Sequence, residues 1–273
     1  MTESAVAGRQ AGLLIGTSGY NYGHWRGRFY PEELPARQWL SYYARTFPTV
    51  ELNVTFYRLP RRSTFAGWYE QTPPDFTFAI KGSRLITHLK RLADVEEDTR
   101  RFFAHAGELK EKLGAVLWQF PPSFRLDLSR LEPFCTVLES VAGATRHAFE
   151  FRHQSWFTPE LYEFLRQRNL ALCVADAPRW PSCEEVTADF VYVRFHGSHR
   201  LYSSCYSTEE LRAWVEKITR WRAGGRDVFA YFNNDAQGFA LQNARDLTDL
   251  LRHPEEREDR AAAEQDRVSR KAP

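Results

Sequence analysis

Glu150 and Arg152 stand two residues apart, and so do Glu51 and Asn53, Arg194 and His196, and Tyr231 and Asn233. Side chains on an extended backbone alternate between its two faces, so each pair shares a face. Lys81, Gln119 and Asp176 lie at or near the ends of three further apolar runs. Gathered at one end of a fold, these groups suit acid–base chemistry on a polar substrate. Glu150 reads as the general base and His196 as a second acid–base group near neutral pH. Asp176 is a further catalytic candidate. Lys81, Arg152 and Arg194 would hold or neutralise developing negative charge. Glu51, Asn53, Gln119, Tyr231 and Asn233 fall to substrate binding, with the amides and the phenol orienting hydroxyls.

The same charges admit a plainer account. Glu51, Glu150 and Asp176 balance Lys81, Arg152 and Arg194, so the set could be a buried ion network tying strands together. His196 alone is as readily a hydrogen-bonded core histidine. Glu150, Asp176 and His196 form a carboxylate–carboxylate–imidazole set, and a divalent metal, if one binds, would take these three. Two arginines and a lysine nearby would repel such an ion, and there is no His-x-x-x-His spacing. No cofactor is therefore expected.

Between these runs lie aromatic and basic segments. Tyr20 and Trp25 follow the first run, Trp156 and Phe157 the fifth, Trp180 the sixth, and Tyr202 and Tyr206 the seventh. Their rings could stack on a sugar or a base, with Tyr20, Trp25 and Trp156 as the chosen candidates, or could pack loops onto the rim. Arg58, Arg61 and Arg62 follow the second run, and Lys81, Arg84, Lys90 and Arg91 end or follow the third. This basic stretch favours a substrate carrying phosphate or carboxylate.

The positioning elements are eight candidate strands: residues 13–17, 50–54, 76–81, 115–120, 148–152, 171–175, 190–196 and 227–233. Helical patterns separate most of them. Ser63 opens a short helix toward Gln71, and Asp94 begins an amphipathic stretch ending near Gly114. Thr158-Pro159 and the capping-box spacing Ser207 to Glu210 start two more helices, the second stopped by Gly224-Gly225. A last helix runs from about Phe239 to Arg252. Residues 176–188, with Pro178 and Pro181, leave room for a loop rather than a full helix. The arrangement predicts an α/β fold: a single (β/α)8 TIM-like barrel over residues 12–252, irregular between strands six and seven. Residues 1–11 read as a flexible N-terminus and 253–273 as a charged, disordered tail. Barrel enzymes build their sites at the carboxyl ends of the strands, which is where the polar pairs fall.

Composition narrows the class. The chain has 273 residues, 43% hydrophobic and 15% aromatic, enough for one large core. The formal net charge of +2 excludes a polycation built to coat nucleic acid. No apolar run is long enough for a membrane span, and the N-terminus lacks a signal-peptide pattern, so a soluble, cytoplasmic protein is expected. The four cysteines, Cys135, Cys173, Cys183 and Cys205, form no Cys-x-x-Cys pair, and Cys173 sits in an apolar run as an inert core thiol.

Six stretches resemble the domain-of-unknown-function-72 (YecE-like) family: residues 15–20 (IGTSGY), 50–57 (VELNVTFY), 118–124 (WQFPPSF), 149–157 (FEFRHQSWF), 189–197 (DFVYVRFHG) and 231–235 (YFNND). They span about residues 13 to 245. Gln154, where such proteins often carry proline, and Ser203-Ser204-Cys205, where glycine is common, depart in detail. The resemblance implies a TIM-barrel-like fold, and it brings two fold-level analogies, to sugar isomerases and to metal-dependent abasic-site endonucleases. The leading expectation is an enzyme acting by acid–base chemistry on a small anionic, sugar-like or phosphorylated substrate. A nucleic-acid-processing protein and a non-catalytic metabolite-binding barrel are the alternatives, and the oligomeric state is left open.

Overall fold

The structure is a computed structural model and describes residues 11–253. Apart from residues 11 and 253, the expected flexible N-terminus and charged tail lie outside the described residues. Eight parallel strands close into a barrel in sequence order, β1 being Leu13–Ser18, β2 Thr49–Leu52, β3 Thr77–Lys81 and β4 Leu113–Gln119. The remaining four are β5 Arg146–Glu150, β6 Ala171–Asp176, β7 Phe190–Phe195 and β8 Asp227–Phe232. All eight expected strands are present.

Two apolar layers hold them. Outward-facing Val50, Leu52, Phe149, Val191, Val193 and Phe195 join the large core between barrel and helices. The lumen is filled separately and asymmetrically. Ala79, Ala115, Ala148 and Ala171 leave room on the β3–β6 side, and the rings of Phe190, Tyr192, Phe229 and Tyr231 occupy it from β7 and β8. Small residues opposite large ones let a closed barrel fill without a void. Cys173 lies in this lumen with its thiol pushed well above the ordinary range by burial, the inert role its apolar run predicts.

The helices are α1 Trp39–Tyr43, α2 Val54–Tyr57, α3 Arg62–Glu70, α4 Glu96–Ala106, α5 Leu128–Ala142, α6 Pro159–Gln167, α7 Thr208–Ala223 and α8 Phe239–Arg252. Thr158 caps α6 by accepting from the Leu161 amide, and Ser207 with Glu210 closes the capping box of α7. The start of α4 differs from expectation. Asp94 adopts φ 50°, and the helix begins at Glu96 without a side-chain cap, so Glu96, Glu97 and Asp98 complement its dipole instead. Arg61, not Ser63, flanks the start of α3. Helix α5, capped by Asp127, was not singled out from the sequence, where Pro133 interrupts its pattern. No helix forms between β6 and β7, and residues 177–189 connect them as an irregular loop. Among the described residues no helix is long and apolar enough to cross a membrane.

Gly82, directly after β3, is required by a close approach. A Cβ there would lie 2.2 Å from the Trp118 ring. Gly82→Ala is expected to destabilise the barrel by about 1–3 kcal/mol through overpacking. Chemical denaturation checks this against Gly23→Ala, whose Cβ would meet nothing within 4 Å and which is expected to cost far less.

Candidate functional site

Strand register decides which side chains reach the mouth of the barrel. Ser18 pairs with Glu51, Glu51 with Ala79, and Gln119 with Glu150 across parallel neighbours, so all face inward together. Lys81 shares the inward face of β3 with Ala79. On β7 and beyond, Tyr192, Arg194 and His196 share the inward side. Asp176 departs from expectation. It pairs with outward-facing Phe195, while Ala175 pairs with inward-facing Arg194. Its carboxylate accepts from Trp214 Nε1 at 3.2 Å, toward α7 and away from the mouth. Asp176 is therefore separated from the set, and the expected metal ligands Glu150, Asp176 and His196 do not converge. Among the described residues no group of three or more His, Cys, Asp or Glu is placed to hold a metal ion.

At the centre lies a fully buried ion network. Arg194 is forked on Glu51, with Nε to Oε2 at 3.0 Å and Nη2 to Oε1 at 2.7 Å, and its Nη1 reaches Glu150 Oε2 at 2.5 Å. Ser18 and Tyr192 hydroxyls also donate to Glu51, the latter at 2.8 Å. Arg152 Nε donates to Glu150 Oε1 at 2.7 Å, and its guanidinium lies 3.5 Å from the Trp180 ring centroid. Burial by itself would raise both glutamates. Arg194, aided by Ser18 and Tyr192, outweighs it and lowers Glu51, while Arg152 and Arg194 hold Glu150 well below the carboxylate range. Glu150 is thus an ionised, saturated carboxylate and a poor general base. The ion-network account fits Glu51, Glu150 and Arg194, which tie β2, β5 and β7 together.

His196 belongs behind this network. Burial and the nearby Arg194 lower it to about 4, so it is neutral at physiological pH rather than poised near 7. Its Nδ1 lies 3.2 Å from the Asn233 amide nitrogen, and its Nε2 lies 3.3 Å from Arg194 Nη1 and 3.6 Å from Glu150 Oε1, so both ring nitrogens are engaged by the network. Trp180 packs edge-on against its ring.

Above the network opens a cavity of about 1380 Å³. Tyr20, Asn53, Lys81, Gln119, Arg152, Arg194 and Asn233 line it as expected, and Arg58 and Arg61 stand at its rim. The rest of the basic stretch does not: Arg62 pairs with Glu108, Lys90 with Asp98 and Arg91 with Ser123. Three aromatic or phenolic candidates are also displaced. Trp25 is buried under the first loop, stacked near Tyr43 and bonded to Asp235. Trp156 is stacked on Phe151 at 4.3 Å, with its Nε1 donating to the Phe124 carbonyl. Tyr231 lies deeper in the lumen, bonded to Thr49. These rings pack loops and core rather than face a ligand.

Lys81 differs from every other charge at the mouth. Only 9% exposed, it forms no ion pair or hydrogen bond through Nζ among the described residues, and this atom lies 4.1 Å from the centroid of the Phe56 ring. Burial, followed by the repulsion of Arg194, lowers its ammonium from 10.5 to about 7 against the weaker pull of Glu150. Beside it is His88, which the sequence reading passed over. It sits on a π-helical turn, Leu85–Leu89, a geometry concentrated at functional sites. Burial and Lys81 lower His88 to about 4. Thr87 Oγ1 donates to the Ser83 carbonyl and so accepts from His88 Nδ1 at 2.9 Å, which leaves Nε2 a lone pair. Ser18 and Tyr192 were also missed as partners of Glu51.

Comparison with known proteins gives a consistent result. The family model described as "Protein of unknown function DUF72" matches residues 14–267. UPF0759 protein YunF of Bacillus subtilis is 27% identical, covering 88% of this chain and 94% of that protein. UPF0759 protein YecE of Escherichia coli K12 is 27% identical, covering 67% of this chain and 74% of its own. Among solved structures, a DUF72 family protein of Thermotoga maritima superposes with a TM-score of 0.79 at 34% identity, covering 88% of this chain and 99% of that one. A DUF72 protein of Enterococcus faecalis superposes at 0.76 with 22% identity, covering 88% and 95%, and so shares the fold.

Proposed function

The chain belongs to the DUF72 family, described as proteins of unknown function, and we propose its role from the site itself: the barrel mouth binds a small anionic, sugar-like or phosphorylated substrate, and Lys81 rather than Glu150 exchanges a proton with it. The observation that carries this reading is an unpaired, buried amine facing a cavity in which each carboxylate is already engaged by arginine. An amine lowered to about 7 is half neutral at physiological pH and can accept a proton there. Arg152 presents a guanidinium fixed by Glu150 and Trp180, and Arg58 and Arg61 add positive charge at the rim. Asn53, Gln119 and Asn233 supply amides for hydroxyls, although the Gln119 nitrogen already donates to the Phe120 carbonyl.

The test is thermal stabilisation of the whole chain by inorganic phosphate and glucose 6-phosphate. Both are expected to stabilise the protein, and Arg58→Ser with Arg61→Ser is expected to weaken that binding by about tenfold or more, the loss of one or two charge-assisted hydrogen bonds. No stabilisation by either anion would sink the reading. A second reading rests on Tyr57, 65% exposed beside Arg58 at the rim, a stacking surface next to a cation that suits a single-stranded nucleic acid. It requires salt-sensitive binding of a labelled oligonucleotide that the same double variant loses.

A further inference from the structure

A lysine needed only for its positive charge gains nothing from surroundings that remove that charge. The mouth already holds Arg152 and Arg194, with Arg58 and Arg61 at the rim, all permanently cationic at neutral pH. Lys81 is the exception. Its Nζ rests on the face of Phe56, without a carboxylate partner among the described residues, beside guanidinium groups that disfavour protonation and within a cavity large enough for a substrate. That setting produces an amine nucleophile. We propose that Lys81 condenses with the carbonyl of a 2-oxo acid to form an imine at the barrel mouth, with the carboxylate of that acid held by the surrounding arginines. The proposal rests on the mouth being an anion site and adds the substrate class and a covalent step.

The step balances without an oxidant or reductant. The Nζ lone pair attacks the carbonyl carbon, and the carbonyl oxygen takes up a proton to give a carbinolamine. Loss of that hydroxyl as water, with both nitrogen protons given up, leaves the C=N bond. His88, whose Nε2 is unprotonated in its bonded tautomer and which lines the same cavity, is placed to take the proton leaving Nζ and return it to the departing oxygen. The resulting imine draws electrons from the neighbouring carbon, which is the chemistry a carbon–carbon lyase or a dehydratase of an oxo acid needs.

The chain has six lysines, Lys81, Lys90, Lys110, Lys112, Lys217 and Lys271, so a covalent label can be assigned by peptide mapping. The full chain is incubated at neutral pH with pyruvate or glyoxylate and sodium cyanoborohydride, and in parallel with each acid, and with inorganic phosphate, for thermal stabilisation. One reduced adduct is expected at Lys81, forming at least about tenfold faster than at exposed Lys110, because burial lowers the Lys81 ammonium to about 7. Lys81→Met is expected to lose it, and phosphate to slow it. Labelling spread over exposed lysines and unchanged in Lys81→Met overturns the imine. Stabilisation by phosphate with no Lys81 adduct overturns the imine and leaves the anion site standing. Neither stabilisation nor adduct overturns both.

Discussion

Arg194→Leu is expected to destabilise the folded barrel by about 3–5 kcal/mol, because it strands the buried carboxylate of Glu51 and takes from Glu150 one of its two arginines. Glu51 and Glu150 are both fully buried, and one guanidinium reaches both of them. The cost comes from unpaired charge more than from lost volume, and two measurements separate these. Adding Glu51→Gln to Arg194→Leu is expected to recover part of the loss, so the double variant is less destabilised than the two single effects summed. The pH dependence carries a definite sign. Glu51 and Glu150 are lowered from 4.5 in the folded protein, so their contribution is present above about 4.5 and is lost as pH falls through the depressed folded values. In Arg194→Leu the stranded Glu51, and to a lesser degree Glu150, which keeps Arg152, take up protons more readily. The deficit relative to wild type therefore shrinks on acidification below about 4.5, whereas a simple cavity would keep it constant. A deficit under about 1 kcal/mol that is independent of pH would remove the network from the account of stability.

The same network shows what a sequence can and cannot disclose. On β5 and β7 phenylalanine and valine alternate with charged or polar residues, so the inward face of each strand is legible, and Glu150, Arg152, Arg194 and His196 fall where that alternation puts them. On β6 the run Ala171-Leu172-Cys173-Val174-Ala175 is apolar on both faces, as a strand buried on both sides requires, and no alternation marks the direction of Asp176. Its misplacement follows from that uniformity. Pairing is a different kind of information. Nothing in the spacing of Glu51, Glu150, Arg152 and Arg194 tells which carboxylate each arginine takes, and that choice turns Glu150 from a candidate base into a saturated anion. Trp25 and Trp156 likewise depend on where their indole nitrogens find acceptors, at Asp235 and the Phe124 carbonyl, which only the folded loops provide. His88 escaped because a π-helical turn has no simple sequence period, and its neighbours Arg84, Lys90 and Arg91 drew attention to charge instead.

Lys81→Met is expected to make the protein more stable while removing its function, on the order of 2–4 kcal/mol more stable at acid and neutral pH. Methionine keeps a flexible apolar stem against Phe56 without an ammionium group to desolvate. The sign follows from the depressed value. Unfolded, Lys81 binds its proton up to 10.5, but folded it releases it near 7, so the unfolded chain holds more protons between these values. The penalty on the native state is therefore complete below about 7 and fades as pH rises toward 10.5. The stability advantage of Lys81→Met must fade over the same interval, and denaturant titrations at several pH values measure it directly. The lost cation–π contact with Phe56 offsets about 0.5–1 kcal/mol of the gain. A residue that served only the fold would behave oppositely, since its removal would lower stability at every pH. An advantage that is absent or flat with pH would mean that the ammonium is accommodated at ordinary cost, and both its acid–base role and its use as a nucleophile would lose their physical basis. A gain that follows the predicted course, together with lost reactivity at the mouth, identifies Lys81 as a group the fold tolerates at a cost in stability because the chemistry of the site depends on it.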